Sequence, residues 1–210
     1  MAEKVESAEP SRRQEHKRRT ARDLQQAALE LFAENGYDET TTDEIAEQAG
    51  VSPRTFFRYF PTQDSVLFAG SYRWYQSFTE AFLTQPASAS DVDAIRHTFV
   101  DLAPELARRR RSLILYEEAV ASSATLRGGV QDHVHQDIAT LADAIAKRRG
   151  LTETDESCSL LAEVVLVTYR RAVLRWLSGP ARQNPSKVID EELRLLVDQL
   201  STTSSNGRGG

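Results

Sequence analysis

Cysteine, long apolar runs and net positive charge are all scarce in this chain, and each shortage removes a class of protein. Cys158 is the single cysteine among 210 residues, so no internal disulfide can form. That usage fits a reducing cytoplasm, and the thiol reads as a small buried filler. No apolar run approaches the ~20 residues of a membrane span, and the acidic N-terminus is not a signal peptide. The formal net charge of −5 and a pI near 5.5 exclude the bulk basicity of a nonspecific nucleic-acid coat. Metal ligands at useful spacing are missing too. His133 and His135 are two apart on an expected helix, about 200° apart around it, and cannot share an ion as an i, i+4 pair does. There is no phosphate-cradling loop and no nucleophile elbow, Gly128-Gly129 reads as a loop dipeptide, and Cys158 has no readable His partner. The reading is a non-enzyme with no cofactor and no metal site.

What is present is helical. No alternating strand pattern or hairpin dipeptide competes, and 40% hydrophobic residues supply a real core, so the fold class is all-α. Residues 36–61 carry the most information. Thr41 and Glu44 form a capping box at the start of a short helix. Ile45, Ala46 and Ala49 give that helix a buried face, and Gly50 suits the left-handed end. Ser52 then offers an N-cap and Pro53 the first helical position, where its missing N–H costs nothing. Two helices joined by so short a turn make a helix-turn-helix, whose second helix enters the DNA major groove.

On that second helix, with Arg54 at zero, Arg58 falls at about 40°, Thr55 at about 100° and Tyr59 at about 140°. Phe56 and Phe60 lie opposite, near 200° and 240°, and Phe57 at about 300° sits on the border. One face is aromatic core; the other presents guanidinium groups suited to guanine edges and hydroxyls suited to phosphate.

The run Ala27-Ala28-Leu29-Glu30-Leu31-Phe32, Asn35-Gly36-Tyr37, Thr41-Thr42, Ile45-Ala46, Ala49-Gly50-Val51-Ser52, Thr55-Phe56-Phe57 and Tyr59-Phe60-Pro61 resembles the TetR family. The resemblance covers roughly residues 20–68. It implies a bacterial, ligand-responsive repressor that binds DNA as a homodimer. The subunit would have about nine helices, three of them the DNA-binding domain and the rest a larger ligand-binding and dimerisation domain. By position it puts Thr42 on phosphate, Ser52, Arg54 and Thr55 near base edges, and Tyr59 on the backbone. The chain departs from the family pattern at Phe57, usually Tyr, and at Gln63, often Lys, where an amide offers hydrogen bonding to phosphate without charge.

Arg12, Arg13, Lys17, Arg18, Arg19 and Arg22 fall within eleven residues that hold one acid, Glu15. They read as a basic arm for phosphate or the minor groove, with Arg18 and Arg19 the named contacts. The chain accordingly divides into a flexible arm (1–19), the helix-turn-helix domain (20–64), a regulatory and dimerisation domain (65–200) and a disordered tail (201–210). Eight carboxylates and no cation lie between Asp23 and Glu47, so that surface is expected to face away from DNA.

The larger domain is read from its stripes. Aromatics Trp74, Phe78, Phe82, Phe99, Tyr116 and Tyr169 suggest a pocket for a largely hydrophobic small-molecule effector, with plain core as the competing reading. Glu117, Arg170 and Arg171 are its candidate polar handles. Arg108-Arg109-Arg110-Arg111 reads as a helix C-terminus, with a clamp for an anionic group such as an acyl-CoA as the bolder alternative. From Leu160 to Leu177 and again after Asn184-Pro185, apolar residues cover more than one helix face. Leu161, Val165, Val173, Trp176, Leu193 and Leu196 are the candidate dimer residues. A dimer would read a palindromic operator of double-stranded DNA with half-sites ~34–36 Å apart or a multiple. The alternative is a constitutive architectural DNA-binding protein whose second lobe recruits another macromolecule.

Overall fold

The computed structural model describes residues 12–205, with the side chains of residues 69–73 and 200–205 left aside. Among the described residues there are nine helices and no strand. They are α1 (Arg12–Asn35), α2 (Thr42–Gln48), α3 (Pro53–Tyr59), α4 (Ser65–Leu83), α5 (Asp91–Arg108), α6 (Arg110–Ser122), α7 (Ala124–Arg148), α8 (Glu156–Ser178) and α9 (Pro185–Ser205).

The small helices begin and end as their residues dictate. Thr41 Oγ1 accepts from the Glu44 amide at 3.3 Å, and Glu44 accepts from the Thr41 amide at 2.8 Å, closing the capping box. Those bonds hold the Glu44 carboxyl below its ordinary pKa. Gly50 ends α2 at φ +69°, with the Val51 amide reaching back to the Ala46 carbonyl at 2.9 Å. Gly150 does the same for α7 at φ +72°.

Three stretches differ from the sequence reading. Residues 12–19 are not an arm: they are helical and continuous with the rest of α1. Their Arg, Lys and Gln residues propagate a helix well once the buried stripe from Thr20 and Leu24 anchors it. Residues 1–11 lie outside the described residues. Gly128-Gly129 is not a loop but the second turn of α7, whose start Ser123 caps by accepting from the Leu126 amide at 3.2 Å. At the other end, α9 runs on to Ser205, into the stretch expected as tail, and 206–210 lie outside the described residues.

Two apolar cores organise the helices. The first joins Leu24, Ala28 and Phe32 of α1 to Ile45 of α2 and Phe56 of α3, and is completed by Val66, Leu67 and Phe68 of α4. Ala119 and Val120 of α6 and Leu126 of α7 also belong to it. The expected boundary after residue 64 therefore falls inside a continuous core. The second core gathers α4, α5, α7, α8 and α9 around an aromatic stack, with Phe99 and Tyr169 ring centroids 4.0 Å apart and Trp74 and Tyr169 5.1 Å apart.

Candidate nucleic-acid interface and internal cavity

Helix α3 is pinned from below and open above. Phe56 and Phe60 are buried in the first core, their rings 5.7 Å apart. Arg54 and Arg58 are exposed on the other side, with Thr55 and Tyr59 half-buried between the two faces. The Arg58 guanidinium lies over the Tyr59 ring at 5.4 Å, a cation–π contact that orients both toward one edge of the face. Ser52 is exposed, but its hydroxyl caps α3 and sits 3.0 Å from that of Thr55. Thr42 is half-buried at the first position of α2. Five of these six residues lie on or at the cap of α3, and Thr42 begins α2.

The other expected DNA contacts are placed differently. Arg18 and Arg19 are exposed on α1, and Arg19 lies 4.0 Å from Asp23, too loosely paired to hold it. Gln63 is committed inward. Its amide donates to the carbonyls of Tyr37 at 3.1 Å and Thr40 at 2.7 Å, tying the α3–α4 link to the α1–α2 loop. Both amide hydrogens are then used, so the residue serves the fold before any phosphate. Phe57, placed by the wheel at the border, faces outward at 52% exposure and meets Phe56 edge-on at 5.4 Å.

Behind this lobe lies a cavity of about 240 Å³ between α1, α4, α6, α7 and α8. Of the six aromatics expected at an effector pocket, Trp74, Tyr116 and Tyr169 line this cavity and Phe78, Phe82 and Phe99 do not. Those three are fully buried in the second core. Phe99 stacks behind Tyr169, Phe78 lies 4.5 Å from Phe99, and Phe82 sits under the Arg148 guanidinium at 5.4 Å. A stripe of aromatics at helical spacing cannot say which rings face a void and which face other rings.

Polar groups in the cavity were mostly unforeseen. Tyr75 shares a hydrogen bond with Asp137, whose carboxyl burial pushes up to about 7. Burial also raises Glu117, against the pull of Arg170 at 3.6 Å, and pushes the Tyr116 hydroxyl up to about 12. The Glu117 and Arg170 handles are therefore in the wall, paired with each other. Arg171 instead pairs with Glu192 at 3.5 Å, outside the cavity. One clue to Asp137 was legible: it interrupts the apolar stripe Val130, Val134, Ile138, Leu141 of α7.

The four consecutive arginines diverge. Arg108 pairs with Glu105 on the surface, and Arg111 is exposed. Arg110 donates to the carbonyls of Leu177 and Gly179 at 2.7 and 3.0 Å and lies 5.5 Å from the Trp176 ring, closing the end of α8. Arg109 alone of the four lines the cavity.

On α8 and α9 the expected dimer residues split. Val165, Trp176 and Leu193 are buried in their own subunit's core, and Trp176 donates to the Gln183 carbonyl at 2.9 Å. Leu161, Val173 and Leu196 are half-buried. The exposed apolar residues are Leu160, Val164 and Val167 on α8 and Leu195 on α9. No group of His, Cys, Asp and Glu that could hold a metal occurs among the described residues, and none of their helices is long and apolar enough to cross a membrane.

A capped helix-turn-helix backed by an all-α lobe defines a DNA-binding transcription regulator. Comparison with known proteins agrees. The family model for bacterial regulatory proteins of the tetR family matches residues 24–69, and that for the MftR C-terminal domain matches residues 90–201. The chain belongs to the TetR family of bacterial transcriptional regulators. It is 27% identical over 166 residues to the regulator MftR of Mycobacterium tuberculosis, a match spanning 75% of this chain and 80% of that protein. It is 38% identical over 90 residues to the HTH-type transcriptional regulator TcmR of Streptomyces glaucescens, spanning 43% of this chain but only 40% of TcmR's length. The repressor FadR of Thermus thermophilus, solved with lauroyl-CoA, superposes with a TM-score of 0.56 at 25% identity, covering 84% of this chain and 93% of that one. The family and fold are those of transcription regulators, which are not enzymes.

Proposed function

We propose that this protein is a ligand-responsive repressor that binds a palindromic operator as a homodimer. The observation that carries this reading is the continuity between its two lobes. Leu29, Leu67 and Phe68 belong to the core beneath α3 and also line the cavity. A ligand that fills the cavity pushes on the same side chains that seat the recognition helix. If it fits one arrangement of that wall better than another, it shifts the balance between them by its difference in affinity.

Arg54 and Arg58 read base edges in this scheme, while Thr42, Tyr59 and the basic start of α1 hold phosphate. Ser52 and Thr55 lie beside them. The exposed stripe of Leu160, Val164 and Val167, with Leu195 on α9, is the natural dimer contact. A cavity walled mainly by apolar side chains supports a largely apolar effector, as does the relative solved with lauroyl-CoA.

The test is selection of binding sites from random duplex DNA by the purified protein, followed by titration of apolar compounds into the complex. A palindromic consensus and at least one compound that releases it are expected. Weak binding without any consensus, or a consensus that no cavity-binding compound releases, would overturn the reading in favour of a constitutive architectural role.

A further inference from the structure

On the side of α5 the cavity shares part of its wall with an outer groove. Gln25, Trp74, Arg109 and Ser112 line the cavity and also this groove, which lies between α1, α4 and α5. These four residues form the junction of an apolar inner chamber with a polar outer one. The inner chamber runs toward Leu113, Val134, Ile138 and Leu166; the outer groove adds Arg22, Asp101, Glu105 and Arg108.

Two groups at that junction have nothing to bind. Trp74 is nine-tenths buried, and its Nε1–H has no hydrogen-bond partner. Native structures rarely leave such a donor unmet. The guanidinium of Arg109, half-buried, makes no ion pair or hydrogen bond among the described residues, and its charge acts on the buried Tyr169 hydroxyl. The other polar groups there are satisfied: Ser112 donates to Gln26 Oε1 at 3.1 Å, and Gln25 donates to the Leu67 carbonyl at 3.3 Å. What the junction lacks is an acceptor.

The charges around it set the sign. In the inner chamber Glu117 is paired with Arg170, and partial burial keeps the proton on Asp137 up to about pH 7 against the opposing hydrogen bond from Tyr75. In the outer groove Glu105 is paired with Arg108, while Asp23 and Asp101 share the lining with Arg22. Arg109 is the cation that the cavity and the groove have in common, and no carboxylate among the described residues pairs with it.

We infer that the cavity takes an anionic amphiphile, its head group held between the Trp74 indole N–H and the Arg109 guanidinium and its apolar chain in the inner chamber. This rests on the reading of the cavity as the effector site and names the class of effector. Trp74 stands on α4, the helix that leaves the DNA-binding lobe, so the head group would grip the link between the lobes directly.

Calorimetric titration of the full chain with decanoate, decan-1-ol and decylamine, matched in chain length, tests it, with decanoyl-CoA as a fourth probe. Decanoate or decanoyl-CoA is expected to bind at least about tenfold tighter than the alcohol, since a hydrogen bond to a charged group contributes about 1.5–3 kcal/mol. Which of the two binds tighter says whether the anion is a free carboxylate or the phosphates of a thioester-borne head. Arg109→Gln should erase that advantage and leave decan-1-ol unchanged, while Arg111→Gln, an exposed neighbour, should change neither. Trp74→Phe keeps a ring and removes the donor, and should weaken the anion by about fivefold or more. Equal binding of alcohol and anion, tightest binding of the amine, or no binding by any probe would overturn the head-group assignment. Tight binding of the anion with no change in operator affinity would keep the assignment and overturn the ligand-responsive reading instead.

Discussion

Arg54→Ala separates sequence reading from simple attraction to DNA. The side chain is exposed and makes no ion pair or hydrogen bond among the described residues, so its loss should change folding stability by no more than about 0.5 kcal/mol. Any large effect then belongs to DNA. A bidentate arginine–guanine pair is worth about 1–3 kcal/mol of discrimination. A symmetric dimer would carry the substitution twice, so about 2–6 kcal/mol would be lost on the preferred operator. At about 1.4 kcal/mol per decade, that is roughly 30-fold to 20,000-fold in affinity. Fluorescence anisotropy on the selected operator and on a duplex with scrambled half-sites, each at two salt concentrations, reads both quantities. A loss confined to the operator, with an unchanged salt slope, is the expected result. Equal weakening on both duplexes with a shallower salt slope would refute the reasoning and assign Arg54 to phosphate.

Phe56→Ala empties the centre of the first core, where the ring is fully buried; it should cost about 3–5 kcal/mol by denaturant unfolding, and a loss under 1 kcal/mol would mean the lobe repacks. Val164→Glu places a charge in the middle of the exposed apolar stripe of α8; sedimentation should show monomers and a weakened operator complex, whereas an intact dimer would put the interface elsewhere. Asp137→Asn tests the buried carboxyl. Its folded pKa, about 7, lies above the ordinary 3.8, so the folded state binds more proton and wild-type stability falls as pH rises from about 4 through about 7. The variant should match the wild type near pH 4 and exceed it by about 1–2 kcal/mol at pH 8, discounted for partial exposure; parallel thermal melting curves at both pH values would show that Asp137 is not desolvated.

The turn between α2 and α3 was legible because its determinants are local. A capping box, a glycine at positive φ and a proline at N1 each act within one helical turn, and all appear where the residues put them. Contacts across the fold were not legible in the same way. On α8, with Leu160 at zero, exposed Val164 and Val167 fall at about 40° and −20°, whereas buried Val165, Tyr169 and Trp176 fall between about 140° and 180°. The sequence shows two apolar faces, and periodicity alone does not say which meets the subunit's own core. The same limit sent Phe78, Phe82 and Phe99 to the expected pocket when packing had claimed them. Gly128-Gly129 misled for the opposite reason: poor helix propensity yields to the Ser123 cap and to packing, the Phe68 ring passing 3.8 Å from where a Gly129 Cβ would stand.

Control of DNA binding through the cavity asks little of the wall the lobes share. A tenfold loss of operator affinity needs a difference of only about 1.4 kcal/mol between the two arrangements. Burying one leucine contributes about 1.5–3 kcal/mol, so a ligand that displaces either Leu29 or Leu67 from the first core suffices. Phe68 resists that displacement. Its ring stacks on His133 with centroids 3.5 Å apart, and His133 is itself held by a hydrogen-bond contact between Nδ1 and the Gly129 carbonyl at 2.9 Å. The wall is therefore soft at its leucines and stiff at its aromatic pair. An effector working through this wall would act by moving the leucines about that fixed point, and its effect on the operator would scale with how much of Leu29 and Leu67 it dislodges rather than with how tightly it binds.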